Sequence, residues 1–252
     1  MFFFFRKKRI VFDVITSEQH AYDYAKIDRA DKHYPDWWKK LPARIDVDDG
    51  LYRAATAKKC PGIIDYYRNG IVIPLWSDLN VKLLEQAGSY VYQYSNMRSE
   101  LTSHGEIQYD NAFDNSRTQH IKLLAPWLGI SKKFKFKAVW TDPVYNRVDS
   151  LFDASVLPGV IEYGRTPMQL NINLLLKRNK DGKKLIEFKF GDPIVLMVPL
   201  TEDIVEVKSH LVSASEYSKY NNGYAQMMFT NTYRTMNKLQ EQENQNKCPF
   251  RL

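Results

Sequence analysis

A two-residue rhythm of apolar and polar side chains, recurring from Leu75 to Val207, restricts what this chain can become more than any other feature. Phe134, Phe136, Ala138 and Trp140 alternate with Lys133, Lys135 and Lys137. Leu170, Ile172, Leu174 and Leu176 alternate with Asn171, Asn173, Leu175 and Lys177, and Ile186, Phe188 and Phe190 with Glu187 and Lys189. Successive side chains of a strand point to opposite faces, so each stretch buries one face and wets the other. Leu75–Leu84 keeps the period imperfectly, and Tyr90, Tyr92 and Tyr94 share one face of a further strand. Ile194–Leu200 is a continuous apolar run, short enough for a strand covered on both faces, while Ile10–Ile15 and Ile204–Val207 add β-branched segments. Asn179-Lys180-Asp181-Gly182 supplies a hairpin turn, and Gly191-Asp192-Pro193 a corner. Roughly nine or ten strands with turn signals between them predict a mainly β chain, an antiparallel β-sandwich of jelly-roll or cupin-like type. No helical pattern of crossover length separates them, which disfavours a doubly wound parallel sheet.

Helical signals are confined to two insertions and one end. Pro35 opens and Pro42 stops a short helix containing Trp37 and Trp38. Adjacent tryptophans on one turn cannot share a face, so one belongs to the core and the other meets a neighbouring surface or a ligand. Pro61 and Asn69-Gly70 bracket a second helix carrying Tyr66 and Tyr67. Between them, residues 43–57 read as an exposed loop. Asp46, Asp48, Asp49 and Gly50 match the start of a calcium loop, but Leu51–Ala57 lacks the glutamate that would complete it. Ser213 and Glu216 form a capping box, predicting a helix from about Ser215 to about Glu241, softened at Asn222-Gly223. Its Tyr217, Tyr220, Tyr224 and Met227 stripe packs on the sheet or meets a partner. The expected organisation is one domain over 1–252: an N-terminal strand and helical insertions over 10–70, the main sandwich over 71–212, and the helix over 213–245.

Composition narrows the classes of function. Thirty-six Lys and Arg against 29 Asp and Glu give a net charge of +7, a scattered surplus that carries no strong nucleic-acid signal. No apolar run approaches the roughly 20 residues of a membrane-spanning helix. Cys60 and Cys248 are too few for a disulfide framework and read as free thiols of a reducing compartment; no Cys-x-x-Cys pair offers a zinc site. Phe2–Phe5 precede Arg6-Lys7-Lys8-Arg9, the reverse of a secretory signal, which argues against export. Such a segment docks on the protein or a neighbouring subunit, or alternatively sets phenylalanine into lipid with the basic cluster on anionic head groups.

Several segments taken together resemble an uncharacterised family of tailed bacteriophages of marine bacteria, with more distant bacterial relatives. They are Tyr34–Pro42, Cys60-Pro61-Gly62 through Asp65-Tyr66-Tyr67, Gly70–Asp78, Trp140-Thr141-Asp142-Pro143 with Tyr145-Asn146, Leu157–Tyr163, Leu170–Leu176, Gly191-Asp192-Pro193 and Val198-Pro199-Leu200. The resemblance spans about residues 30–212. It implies a phage origin and a compact β fold, and transfers no activity or site residue.

The expected function is therefore a phage-encoded, non-catalytic structural or binding protein, a virion or assembly component or an interaction module. Its expected place is the virion or the host cytoplasm, and its partners other phage proteins or further copies of itself. Trp37, Trp38, Tyr66, Tyr67, Trp76 and Tyr92 are the candidate binding surface, because clustered aromatics serve carbohydrate platforms and protein interfaces, although most must also fill a core. The alternative is a non-haem Fe(II) and 2-oxoglutarate-dependent oxygenase. His104 and Glu106, at i and i+2 on a strand, would point the same way, and either His120 or, in preference, His210 from a distant strand would complete two histidines and one carboxylate. A carbohydrate-binding or -cleaving protein, with a carboxylate pair such as Asp142 and Glu162, comes third. No Gly-x-Ser-x-Gly elbow, phosphate loop or dinucleotide fingerprint is present. Lys133, Lys135 and Lys137 either meet phosphates or, as lysines on an exposed edge, prevent edge-to-edge pairing.

Overall fold

The computed structural model describes residues 7–47, 50–86, 89–95, 101–103, 118–147, 154–177 and 184–225. Its strands are, in chain order, β1 (Arg9–Thr16), β2 (Asp28–Arg29), β3 (Arg44–Val47), β4 (Tyr52–Ala55), β5 (Ile71–Pro74) and β6 (Leu79–Gln86). There follow β7 (Ser89–Ser95), β8 (Leu101–Ser103), β9 (Thr118–Leu123), β10 (Leu128–Ile130), β11 (Phe136–Thr141) and β12 (Ala154–Val156). The last six are β13 (Gly159–Tyr163), β14 (Met168–Gln169), β15 (Ile172–Lys177), β16 (Lys184–Phe188), β17 (Pro193–Pro199) and β18 (Ile204–Leu211). Among the described residues four α-helices accompany them: α1 (Gln19–Tyr24), α2 (Asp36–Lys40), α3 (Pro61–Asn69) and α4 (Ala214–Ala225). The protein is mainly β, as the alternation predicts.

One four-stranded sheet runs β14-β10-β1-β18, and a five-stranded sheet runs β13-β11-β17-β5-β2. Their inner faces meet. Phe12 on β1 lies 5.4 Å from Phe136 on β11 and 4.7 Å from Tyr163 on β13, centroid to centroid. Trp140 Nε1 donates to the Tyr163 hydroxyl at 2.8 Å, so a buried indole and phenol satisfy one another. Ile10 and Val14 join this core from β1, and Ile71, Ile73, Val195 and Met197 from the opposite sheet. Each fully buried side chain of this kind contributes about 1.5–3 kcal/mol. Two further sheets, β12-β15-β9-β8 and β16-β6-β7, send Ile121, Leu123, Leu174, Leu176, Val81 and Ile186 into the same cluster.

The five-stranded sheet is covered on both faces. β5 is buried at every position, and Val72 and Leu196 point away from the main core into a second cluster with Ala30 and Tyr67. This explains why Ile194–Leu200 shows no alternation: neither face of β17 is wet along its middle. The outer face of the four-stranded sheet presents Ile15, Leu128 and Ile130, on which Tyr217 and Tyr220 of α4 pack. The Ser213 Oγ accepts from the Glu216 N–H at 3.2 Å, the expected cap. The helix is described as far as Ala225; its expected continuation, and the Asn179–Gly182 turn, lie outside the described residues. The corner expected at Gly191 forms, with φ of 82°, where glycine avoids the steric cost of a left-handed conformation.

Two expectations need correction. Residues 43–57 are not an irregular loop: β3 and β4 pair as an antiparallel hairpin, with Ile45 opposite Ala54 and Val47 opposite Tyr52. Nor is the pairing wholly antiparallel. β1 and β18 run parallel in register from Arg9 with Ile204 to Thr16 with Leu211, with β1 an inner strand between β10 and β18.

Candidate functional site

The helical insertions place an aromatic layer on the outer face of the five-stranded sheet. Trp38 on α2 stacks on Tyr34, nearly parallel at 5.8 Å, and Tyr34 lies 4.5 Å from Tyr67 on α3. Tyr66 meets Tyr67 edge-on at 5.3 Å and Tyr145 edge-on at 5.2 Å. The layer is fastened by polar tips. Trp37 Nε1 donates to Tyr145 O at 2.8 Å, Tyr66 to Asp142 O at 3.3 Å, and Tyr67 to Asn146 Oδ1 at 3.3 Å; the Asn146 amide donates to His33 O. Burial holds the Tyr66 and Tyr67 hydroxyls above the ordinary phenol range, so they stay protonated donors. It also lowers the His33 imidazole, against the opposing pull of Asp28 and Asp31.

Four of the six aromatic residues expected to form a binding surface, Trp37, Trp38, Tyr66 and Tyr67, thus come together. However, Trp38 and Tyr67 are buried, and their ring faces are occupied by one another and by Tyr34. Trp76 is buried in the main core, with its carbonyl 2.6 Å from His20 Nε2. Tyr92 lies on β7, and its side chain is outside the described residues.

Beneath the layer, Asp142 and Arg147 form a nearly buried ion pair at 3.3 Å. Asp142 Oδ1 also accepts the Val156 N–H at 2.8 Å, and Arg147 donates to Ala154 O at 3.2 Å with its guanidinium 5.0 Å from the Phe188 ring. Desolvation raises the Asp142 carboxyl and lowers the Arg147 guanidinium, while mutual attraction opposes both. These contacts tie the end of β11 to β12 and β16. Asp142 is committed to that node, and Glu162 instead lies on exposed β13, 3.9 Å from Lys135.

His104 and Glu106 lie outside the described residues. His210 sits on the outer side of β18 with Nε2 2.8 Å from Asp13 Oδ1 on β1. Among the described residues, no group of three or more His, Cys, Asp or Glu side chains is placed to hold a metal ion, and no helix is long and apolar enough to cross a membrane.

Two surface features escape a reading by strand period alone. Among the described residues the β3–β4 hairpin is a two-stranded sheet of its own. Directly opposed residues share a side, so Ile45, Val47, Tyr52 and Ala54 form one apolar face, while Arg53 and Asp46 pair at 3.0 Å on the other. Ile45 and Tyr52 are about half exposed, and Leu51 at the turn is 86% exposed. The second feature is an open groove of about 410 Å³ bounded by Lys8, Phe134, Lys135, Lys137, Leu200 and Asp203, among others. β11 is hydrogen-bonded on both sides, to β13 and β17, so Lys137 guards no sheet edge. Compared with models of protein families, with curated proteins and with solved structures, the chain finds no match.

Proposed function

We propose that this chain is a phage-encoded, non-catalytic structural or binding protein, a virion or assembly component acting in the virion or the host cytoplasm. The observation that carries the reading is the β3–β4 hairpin. A two-stranded ribbon is at best marginally stable in water without a surface to cover its apolar side. Among the described residues, Ile45, Val47, Tyr52 and Ala54 belong to none of the buried clusters, so within them this hairpin presents its apolar face outside the core. Exposed apolar patches rimmed by charge mark protein interfaces, here with another phage protein or a second copy. The aromatic layer supports the reading as the rigid base from which the hairpin projects: the Thr56 hydroxyl donates to Pro42 O at 2.6 Å, and Lys58 Nζ bonds to Lys39 O and Leu41 O at the end of α2. Within this reading we assign the facing sheets to the jelly-roll class, with the parallel β1–β18 ladder as an elaboration of it.

Mass spectrometry of purified particles of the encoding phage tests the proposal. The chain should occur in fixed copy number, and Ile45→Asp with Tyr52→Asp should reduce its incorporation at least tenfold while leaving the monomer folded. Absence of the wild-type chain from particles would remove the virion role. Equal incorporation of the variant would remove the hairpin from it.

A further inference from the structure

We propose that the groove between the two facing sheets is the centre of a surface that attaches this protein to an anionic lipid bilayer. Lys8, Lys135 and Lys137 line the groove, and Lys133 stands just beyond it, its ammonium 5.3 Å from the Phe134 centroid; Lys8 approaches the same ring at 5.8 Å. All four lysines are exposed. Glu162 and Asp203 are the acidic members of the lining, and both are engaged. Glu162 faces Lys135 at 3.9 Å, and Asp203 Oδ1 accepts the Lys8 N–H at 2.9 Å. Exposed Lys7 and Arg9 extend the positive field along β1.

Charge alone would suit any polyanion; the side chains between the lysines decide for lipid. Leu200, in the groove wall, is 54% exposed, and Ile204, whose N–H donates to Lys8 O at 2.9 Å, is 50% exposed. A nucleic-acid strand would seek an open aromatic face for its bases. Phe136 offers none, being buried, and Phe134 is approached by two lysines. Aliphatic side chains standing among lysines match instead the boundary between head groups and acyl chains, where the apolar groups leave water and the ammonium groups meet phosphate.

Co-sedimentation of the full chain with phosphatidylserine-rich vesicles and with pure phosphatidylcholine vesicles tests this, beside fluorescence anisotropy with a single-stranded oligonucleotide. Each lysine near an anionic surface is worth about a fivefold change in affinity, so Lys8→Ala/Lys135→Ala/Lys137→Ala should weaken binding to the serine lipid roughly a hundredfold. Leu200→Ser/Ile204→Ser should weaken it about tenfold with the lysines intact. All five positions are exposed, and unchanged circular dichroism confirms that each variant folds. The proposal is overturned by failure of the wild type to bind serine-lipid vesicles, by indifference of that binding to either variant, or by tighter binding to the oligonucleotide than to lipid.

Discussion

At Asp142 two demands compete. Removal from water disfavours the carboxylate, while Arg147 and the Val156 N–H favour it. Deleting one member of a buried pair leaves the other charge uncompensated, so Asp142→Ala should cost about 3 kcal/mol in chemical denaturation. Adding Arg147→Met should recover most of that loss, because a flexible apolar side chain can lie against Phe188 without a partner. Both variants costing the same would show that the Val156 hydrogen bond, not the charge, sets the stability. His33 offers the matching test by pH. Burial lowers its folded value, so the unfolded chain binds the proton more readily. Its contribution is present above the unfolded value of about 6.5 and is lost as pH falls through the lower folded value. The denaturation midpoint should therefore drop as pH falls below about 6.5, and His33→Gln should flatten that part of the slope. Gly129 is a matter of space alone: a Cβ there would stand 2.6 Å from Phe12 Cζ. Gly129→Ala should cost roughly 1–3 kcal/mol by overpacking, partly relieved by Phe12→Leu.

Among the elements, α4 joins a cap readable in sequence to a packing partner that is not. Ser213→Ala should remove about 1 kcal/mol of stability. The Tyr217 hydroxyl is pushed up to about 12, first by burial and then by Glu18. It should therefore ionise after the exposed tyrosines in an absorbance titration, and the stability that it lends should disappear as pH rises from about 10 towards that value. What was legible in the chain follows the same division. β11, β15 and β16 announced themselves because each has one wet and one dry face, and β17 because it has two dry ones. β3 and β4 did not, since each is only four residues long and largely exposed, so the brief alternation of Arg44, Ile45, Asp46 and Val47 faces no buried partner. Of the aromatic site, Trp37, Trp38, Tyr66 and Tyr67 could be picked out by residue type. Their convergence with Tyr34 and Tyr145 depends on α3 lying across β5 and β17, which no local pattern encodes. The basic groove was hidden for a similar reason: Lys8 and Lys133–Lys137 are distant in the chain and meet only when the sheets close on one another.

For the whole molecule the parallel ladder between β1 and β18 sets the order of dependence. It joins one end of the described chain to the other, so its loop-closure entropy is recovered only when nearly all intervening strands are in place. β18 also covers the core: Val205 and Val207 pack against the main cluster from their side of the sheet, and Ser209 Oγ donates to Ile27 O. Truncation after Leu200 should therefore do more than trim an edge. It would expose one side of β1, uncover Ile10 and Phe12, and leave a strand edge open to pairing with other chains. The expected product lacks a cooperative thermal transition and aggregates, whereas truncation after Val212 should retain that transition at a lower midpoint, having lost α4 and its cover over Ile15, Leu128 and Ile130. Near-ultraviolet circular dichroism on heating distinguishes the two. If the shorter chain melts as sharply as the longer, β1 is held by β10 and the inner core alone, and the parallel ladder is an ornament of the fold rather than its closing step.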